Sequence, residues 1–162
     1  MTSPRIFGVT GWKNAGKTTL TERLVAEFVR RGLRVATIKH AHHDIDIDRP
    51  GTDSWRHRAA GAGEVALVGG RRYAIMRETP EPSISEVLTR LSPADLVLIE
   101  GYKREPHLKI EVRASGDAEP LASGDPAIVA VAADVQPTDG GLPWFRRDDI
   151  AAIADFIVVR TG

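Results

Sequence analysis

The stretch Gly11–Thr18, with the sequence GWKNAGKT, decides the fold of this 162-residue chain. It consists of a glycine, four intervening residues and Gly-Lys-Thr, which is the pattern of a phosphate-binding loop, or P-loop. An apolar run from Ile6 to Val9 precedes it, and a helical stripe of apolar residues that stops before Gly32 follows it. Strand, glycine loop and helix is the order that this motif requires, so the stretch predicts a nucleoside triphosphate site.

The residues of this loop have distinct predicted contacts with phosphate. Gly11 and Gly16 allow positive φ and close approach, so that N–H groups of the loop, including that of Ala15, converge on phosphate oxygens. Lys17 is expected to reach the β and γ phosphates, and Thr18 to offer its hydroxyl to Mg²⁺. The helix that follows adds its free first-turn N–H groups and the positive end of its dipole.

Composition favours one globular domain over residues 1–162, with 42% hydrophobic and 27% charged residues. The formal net charge is zero and no basic block stands out, so neither nucleic acid nor an anionic membrane is an expected partner. The absence of cysteine excludes disulfides and cysteine metal sites. The first five residues lead straight into a strand and no apolar run is long enough to cross a bilayer, so a soluble cytoplasmic protein is expected.

The order of elements predicts an α/β fold of the P-loop nucleoside triphosphatase class, with a mainly parallel sheet, helices on both faces and an added edge hairpin. The hairpin is expected over 64–78, around the turn at 69–72. Leu108–Arg113 alternates apolar and charged side chains, which favours an edge strand over the sheet centre. Because unpaired edges invite association, a homodimer through about 64–78 and 107–125 is expected.

Glu100 is the predicted acid of a magnesium site. It ends the apolar run Leu96–Ile99 and precedes Gly101, so it is expected at the carboxyl edge of the sheet, where ligands of such folds bind. An acid there orients Mg²⁺ and its waters. The alternative is a strand-end glutamate in solvent or paired with Lys103.

The segment from residue 40 to 53 is open to several interpretations. If the run of aspartates is extended, its carboxylates share one face and suit either a hard cation or solvation. Asp48, close to the turn at Pro50-Gly51, is favoured with Asp53 as an acid near phosphate. A transition metal site is the alternative, although adjacent histidines cannot both face inward from a regular strand. The residues concerned are His40, His42, His43, Asp44, Asp46, Asp48 and Asp53.

Asp134 follows the apolar strand predicted over 127–133, at the edge where a base could lie. An aspartate can accept hydrogen bonds from guanine N1–H and N2–H together, and adenine lacks both donors. Because no Asn-Lys-x-Asp box is present, a loop-capping role for Asp134 is the alternative. Lys13 has two interpretations as well, contact with phosphate or a partner subunit on one side and solvent exposure on the other.

Several motifs in order over about the first 115 residues resemble the molybdopterin-guanine dinucleotide biosynthesis protein B family. They are the loop with its extension Gly11–Leu20, Ile38–His40, Asp48–Gly51, Asp53–Arg58, Ala60–Ala62 and Ile99–Lys103. The resemblance implies a GTP-binding protein with weak GTPase activity that is dimeric through an added strand region. It also implies assistance to the guanylyltransferase that attaches GMP to molybdopterin.

The resemblance carries over residue by residue to two groups of positions. Asp48 and Glu100 are implied toward Mg²⁺, and a larger group is implied at the phosphates. That group is Lys13, Asn14, Gly16, Lys17, Thr18 and Thr19. One departure concerns the related metal-insertion GTPases, which have a lysine directly after the first loop glycine, where this chain has Trp12 and then Lys13.

The resulting hypothesis is a P-loop GTPase that serves as an accessory protein in molybdenum cofactor guanylation. Lys17 and Mg²⁺ would neutralise charge during attack of water on the γ phosphate, with Asp48 and Glu100 as the site acids, and slow turnover is expected because no arginine finger is identifiable. A small-molecule kinase is one alternative, with Arg71 and Arg72 as a poor lid. A metallochaperone that uses the three histidines of 40–43 is another.

Overall fold

The computed structural model describes residues 4–41, 45–115 and 119–162. Two compact units make up the fold, one within residues 1–40 and 92–162 and the other within residues 41–91. The strands are β1 (Arg5–Thr10), β2 (Val35–Lys39), β3 (Glu64–Val68), β4 (Tyr73–Arg77), β5 (Leu96–Glu100), β6 (Lys109–Arg113), β7 (Ile128–Ala133) and β8 (Trp144–Arg146), and the helices are α1 (Lys17–Arg30), α2 (Asp53–Ala59), α3 (Ile84–Arg90) and α4 (Ile150–Thr161). Across these described ranges, no helix has the length and apolar character needed to span a membrane.

The larger unit is built on a six-stranded sheet in the order β2-β5-β1-β6-β7-β8, with every pairing parallel. This confirms the predicted mainly parallel α/β fold. Helices α1 and α4 pack on the face that carries Phe7, Leu98 and Ile110, all fully buried. Because the strands run in one direction, their carboxyl ends meet at one edge, and the P-loop connects β1 to α1 at that edge.

The prediction of an edge position for Leu108–Arg113 is wrong. Strand β6 lies between β1 and β7, and Lys109 and Glu111 on it are fully buried. Both charges are paired. Lys109 Nζ lies 2.8 Å from Asp125 Oδ2, and Glu111 Oε2 lies 2.9 Å from Arg113 Nη2 while the Glu111 carboxylate also accepts hydrogen bonds from the backbone N–H groups of residues 121 and 122. Alternation in the sequence therefore reflects a face covered by paired charges rather than by water.

The 41–91 unit contains α2, the β3–β4 pair and α3. The predicted hairpin is confirmed: β3 and β4 are antiparallel and form a separate two-stranded sheet. Helix α3 begins with a capping box, in which the Ser83 side chain accepts from Glu86 N and the Glu86 carboxylate accepts from Ser83 N. Few side chains of this unit are buried, Val65 and Ser54 among them.

Candidate functional site

The P-loop is a strained turn that only certain residues can form. Gly11, Asn14 and Gly16 have positive φ, at 148°, 64° and 100°. A Cβ on Gly11 would lie 2.4 Å from the carbonyl oxygen of Val112, so a side chain cannot be accommodated there. Asparagine is one of the few residues besides glycine that tolerates the left-handed region. The sequence therefore fixes the path of the loop between β1 and α1.

Helix α1 presents an N-terminus suited to an anion. Gly16 is its N-cap, no side chain caps the first turn, and the first turn contains no acidic residue. The first N–H groups of a helix have no partner within the helix, and its dipole places partial positive charge there. Lys13, Asn14 and Thr19, predicted to contact phosphate, are exposed around this N-terminus.

The ammonium of Lys17 folds back over the loop and donates a hydrogen bond to the carbonyl oxygen of Trp12 at 2.6 Å. The lysine therefore keeps its positive charge beside the loop that is predicted to bind phosphate. Trp12 is held in turn from two sides. Its indole N–H donates to the carbonyl oxygen of Glu119 at 3.0 Å, and the ammonium of Lys103 lies 4.4 Å from the centre of its ring.

Thr18 and Glu100, each predicted to face Mg²⁺, come together at the carboxyl edge of the sheet. Thr18 Oγ1 donates to Glu100 Oε1 at 2.9 Å, and the ammonium of Lys39 lies 3.4 Å from the same oxygen. Strand β5 lies between β1 and β2 in the sheet, and its last residue, Glu100, is buried to 8% exposure. A hydroxyl and a carboxylate are the hard oxygen donors that Mg²⁺ prefers, so these residues fit that ion. The alternative pairing of Glu100 with Lys103 is not what the structure shows, since Lys103 packs on Trp12.

A second strained turn lies directly after Glu100. Gly101 and Tyr102 both have positive φ, at 95° and 48°. A Cβ on Gly101 would meet that of His40 at 3.1 Å, while the Tyr102 ring stacks on the His40 imidazole with 4.3 Å between centroids. The turn thus packs tightly against the end of β2 and fixes the backbone beside Glu100.

Asp134 follows β7, as predicted, and it is held by Arg147, which no sequence pattern singles out. Arg147 donates to both oxygens of the Asp134 carboxylate, from Nε and Nη2, and its Nη1 donates to the carbonyl oxygen of Ala15 at 3.0 Å. The hydrogen bonds from Arg147 lower the pKa of Asp134. Both side chains line a cavity of about 260 Å³ with Gly16 and Thr19. Base recognition by Asp134 stays a prediction.

Asp48 belongs to the 41–91 unit, where both of its carboxylate oxygens accept hydrogen bonds. Ser54 donates to one oxygen at 2.9 Å, and Arg58 Nε donates to the other at 2.9 Å. Arg58 also contacts Asp46 and Glu78, and these ion pairs raise its own pKa. The role of Asp48 at magnesium stays a prediction.

The other histidines and acids of this segment give no metal centre within the described chain. His42, His43 and Asp44 lie outside the described residues. Among the residues that the structure describes, no group of three or more histidine, aspartate or glutamate side chains is arranged to hold a metal ion. His40 packs on Tyr102 instead. Arg71 and Arg72, considered as a lid, lie exposed in the turn between β3 and β4.

Two functional contacts were missed because they join residues far apart in sequence. Lys39 reaches Glu100 only because β2 and β5 are neighbours, and the sequence marks Lys39 only as a member of the motif Ile38–His40. Arg147 is one of two adjacent arginines before α4, and nothing in the sequence distinguishes it from Arg146. The sheet order decides both.

The chain is similar in sequence and in fold to known proteins. Residues 6–134 match the family described as molybdopterin guanine dinucleotide synthesis protein B. The chain is 40% identical over 155 residues to the molybdopterin-guanine dinucleotide biosynthesis adapter protein of Haemophilus influenzae, a match that covers 94% of this chain and 86% of that protein. The protein of the same name from Escherichia coli K12 is 37% identical over 161 residues, 94% of this chain and 91% of the relative. A crystal structure of molybdopterin-guanine biosynthesis protein B superposes with a TM-score of 0.76 at 30% identity, covering 96% of this chain and 99% of that one.

Proposed function

This chain belongs to the molybdopterin guanine dinucleotide synthesis protein B family, and we propose that it is a GTP-binding adapter in the synthesis of that dinucleotide. Its partner in this proposal is the guanylyltransferase that attaches GMP to molybdopterin. The observation that carries the proposal is the uncapped N-terminus of α1 beside the Thr18–Glu100 pair, which joins an anion site to a cation site.

The triphosphate is proposed to lie on the loop and the first turn of α1. Backbone N–H groups of residues 11–16 and the Lys17 ammonium would bind its oxygens, with Lys13, Asn14 and Thr19 exposed around them. Lys17 must leave the carbonyl oxygen of Trp12 to do so, which costs little because the two residues lie on the protein surface. Charge neutralisation by lysine and backbone dipoles is the main contribution expected to affinity.

Mg²⁺ is the cofactor in this proposal, with Thr18 and Glu100 as the residues that would hold it, and Asp48 as a further acid from the sequence. When bound, the ion neutralises phosphate charge. When the ion is absent, the ammonium of Lys39 offsets the negative charge of the Glu100 carboxylate. Hydrolysis of GTP is expected to be slow, because Glu100 is engaged by Thr18 and Lys39 and so is suited to holding a cation rather than to positioning water.

Calorimetric titration of the protein with GTP in the presence of Mg²⁺ tests the nucleotide site. Wild-type protein should bind, and Lys17→Ala should weaken binding about 30-fold, because it removes one charge-assisted contact of roughly 2 kcal/mol. Arg30→Ala is the control, since it removes a positive charge from the far end of α1, where Arg30 pairs with Glu27. Failure of the wild type to bind GTP or ATP, or an unchanged affinity in Lys17→Ala, would refute the proposal.

The adapter role needs a separate test. Immobilised molybdopterin guanylyltransferase should retain the wild-type protein in the presence of GTP and Mg²⁺, and retain less of it without nucleotide. With GTP present, the Lys17→Ala variant should be retained only as weakly as the wild type is without nucleotide. If both proteins are retained equally under all conditions, binding of the partner does not depend on the nucleotide site. That result would contradict a GTP-dependent adapter.

We propose further that the chain forms a homodimer through the β3–β4 hairpin. Hydrophobic side chains there are exposed, among them Leu67, Val68, Tyr73 and Ile75. A two-stranded sheet also leaves strand edges with unpaired backbone groups. The predicted contribution of 107–125 to the dimer stays a prediction, and within it β6 offers no free edge, because it is paired with strands on both sides.

A further inference from the structure

Arg147 contacts both the P-loop, at Ala15, and Asp134, which lies far from the loop in the sequence. Its guanidinium contacts the carboxylate of Asp134 through Nε and Nη2 and the carbonyl oxygen of Ala15 through Nη1. The Nη1 atom also lies 3.2 Å from where a Cβ on Gly16 would stand. A planar fork of donors can make these contacts together, whereas a lysine ammonium presents a single point of charge.

The contact with Ala15 has a consequence for the neighbouring peptide group. The bond between Ala15 and Gly16 is a planar trans peptide, so the Ala15 carbonyl and the Gly16 N–H point in opposite directions. An arginine that holds the carbonyl oxygen on one side of the loop therefore directs the N–H to the other side. Gly16 needs such support, because glycine restricts its own backbone least of all residues.

We propose that Arg147 and Asp134 are a positioning pair that sets the Ala15–Gly16 peptide for phosphate binding. The inference rests on the proposed function, since it assigns these residues to the same nucleotide site. Asp134 acts through Arg147: its carboxylate holds the guanidinium in two places and leaves Nη1 aimed at Ala15. Neither residue needs to touch the base, and the effect is on the triphosphate.

The variant Asp134→Asn distinguishes a positioning role of Asp134 from two other roles, because each role predicts a different change in ligand affinity. Removal of a negative charge near the phosphates should tighten anion binding if the carboxylate acts only through its charge. A carboxylate that reads guanine should matter for GTP and not for inorganic tripolyphosphate, which has no base. A positioning residue should weaken the binding of both ligands by the same factor.

The experiment is calorimetric titration of Mg²⁺-tripolyphosphate and Mg²⁺-GTP into the wild type, Asp134→Asn, Arg147→Ala and the double variant. We expect each single variant to bind both ligands about five- to tenfold more weakly, which corresponds to the loss of one hydrogen bond of ordinary net strength. The double variant should bind no more weakly than the worse single variant, because both changes break one chain of contacts.

Arg146→Ala is the matched control. Arg146 is adjacent, carries the same charge and pairs with Asp148 at 3.2 Å, with both side chains more than 60% exposed. It should bind both ligands like the wild type, and all variants should keep their melting temperatures within about 4 °C, since partly exposed ion pairs contribute little to stability.

The inference is overturned if Asp134→Asn binds tripolyphosphate as tightly as the wild type or more tightly, or if Arg147→Ala behaves like Arg146→Ala. Loss of GTP affinity alone in Asp134→Asn would instead assign the carboxylate to the base. A wild type that binds neither ligand, or a Lys17→Ala variant that binds both normally, would overturn the proposed function and this inference with it.

Discussion

At the residue scale, Thr18 offers the proposed ligand two different contacts, its side-chain hydroxyl and its backbone N–H. Thr18→Ala removes the oxygen that meets Glu100 and keeps the backbone N–H of α1, whereas Thr18→Ser keeps both. We expect Thr18→Ala to lose most of the Mg²⁺ dependence of GTP binding, about a tenfold effect for one lost oxygen ligand. Thr18→Ser should retain it. Titration of GTP with and without Mg²⁺ measures the difference, and equal magnesium dependence in all three proteins would remove Thr18 from the cation site.

His107 provides a prediction about pH. Burial, and then the nearby positive charge of Lys109, lower the pKa of His107 from 6.5 to about 4, against a smaller opposing effect of Asp125. The unfolded state therefore binds the proton more readily than the folded state. The associated stability is present above pH 6.5, decreases as the pH falls, and is fully lost below about pH 4.

The free energy of unfolding should fall by about 1 to 2 kcal/mol more between pH 7.5 and pH 5 in the wild type than in His107→Gln, which cannot titrate. Urea denaturation at the two pH values measures this difference. His57→Gln is the control for the histidine-to-glutamine exchange itself, because His57 is exposed on α2. If the unfolding free energies of the wild type and His107→Gln depend on pH in the same way, His107 accepts a proton as easily in the folded protein as in the unfolded one.

At the scale of elements, β6 tests how a charged strand can lie inside a sheet. Lys109 Nζ is buried and contacts Asp125 Oδ2 at 2.8 Å and the carbonyl oxygen of Lys103 at 3.2 Å. Asp125→Asn leaves the ammonium buried without its counter-ion, which should cost about 3 kcal/mol of unfolding free energy, the low end for a buried pair because Asp125 is partly exposed. Lys109→Met should cost less, because its apolar chain fills the same space while Asp125, at 24% exposure, regains water.

Urea denaturation of both variants at neutral pH measures these costs, provided that the dependence on urea concentration stays the same. A larger loss in Lys109→Met than in Asp125→Asn would mean that packing of the lysine chain, rather than its charge, decides the stability of β6. That result would also mean that the pairing of charges is not what allows β6 to lie between β1 and β7.

The sequence could predict those elements whose signals are local. The apolar runs of β1, β5 and β7 and the capping box of α3 each depend on neighbouring residues, and the P-loop is one contiguous motif. Strand β8 was not predicted, because three residues show no periodicity. The position of β6 was mispredicted because some partners of its charged side chains, among them Asp125, lie in a later segment, which no pattern within β6 reveals.

The same distinction applies to the site. Thr18 and Glu100 are each marked by local context, the first by the loop and the second by the end of an apolar strand, and the structure brings them within 2.9 Å. Lys39 reaches Glu100, and Arg147 reaches the carbonyl oxygen of Ala15, only through the tertiary fold, which no local pattern reveals. The predicted roles of Lys13 and Asp48 stay predictions.

At the scale of the whole molecule, the proposed homodimer depends on one face of the hairpin. The pairings Ala66 with Ile75 and Val68 with Tyr73 place these four side chains on the same face of β3–β4. Val68, Tyr73 and Ile75 are 77%, 69% and 58% exposed. The formal net charge of zero adds little repulsion between copies. This face is therefore the surface on which a second copy is expected to pack.

Val68→Lys combined with Ile75→Lys should convert a dimer into a monomer, because two buried ammonium groups would lack partners in the interface. Val159→Lys is the control, since Val159 is 79% exposed on α4, outside the hairpin. Size-exclusion chromatography with light scattering measures the mass, and titration should show unchanged GTP affinity in the double variant, as the P-loop lies in the other unit. A wild type that is monomeric at working concentration, or a double variant that stays dimeric, would contradict dimerisation through the hairpin.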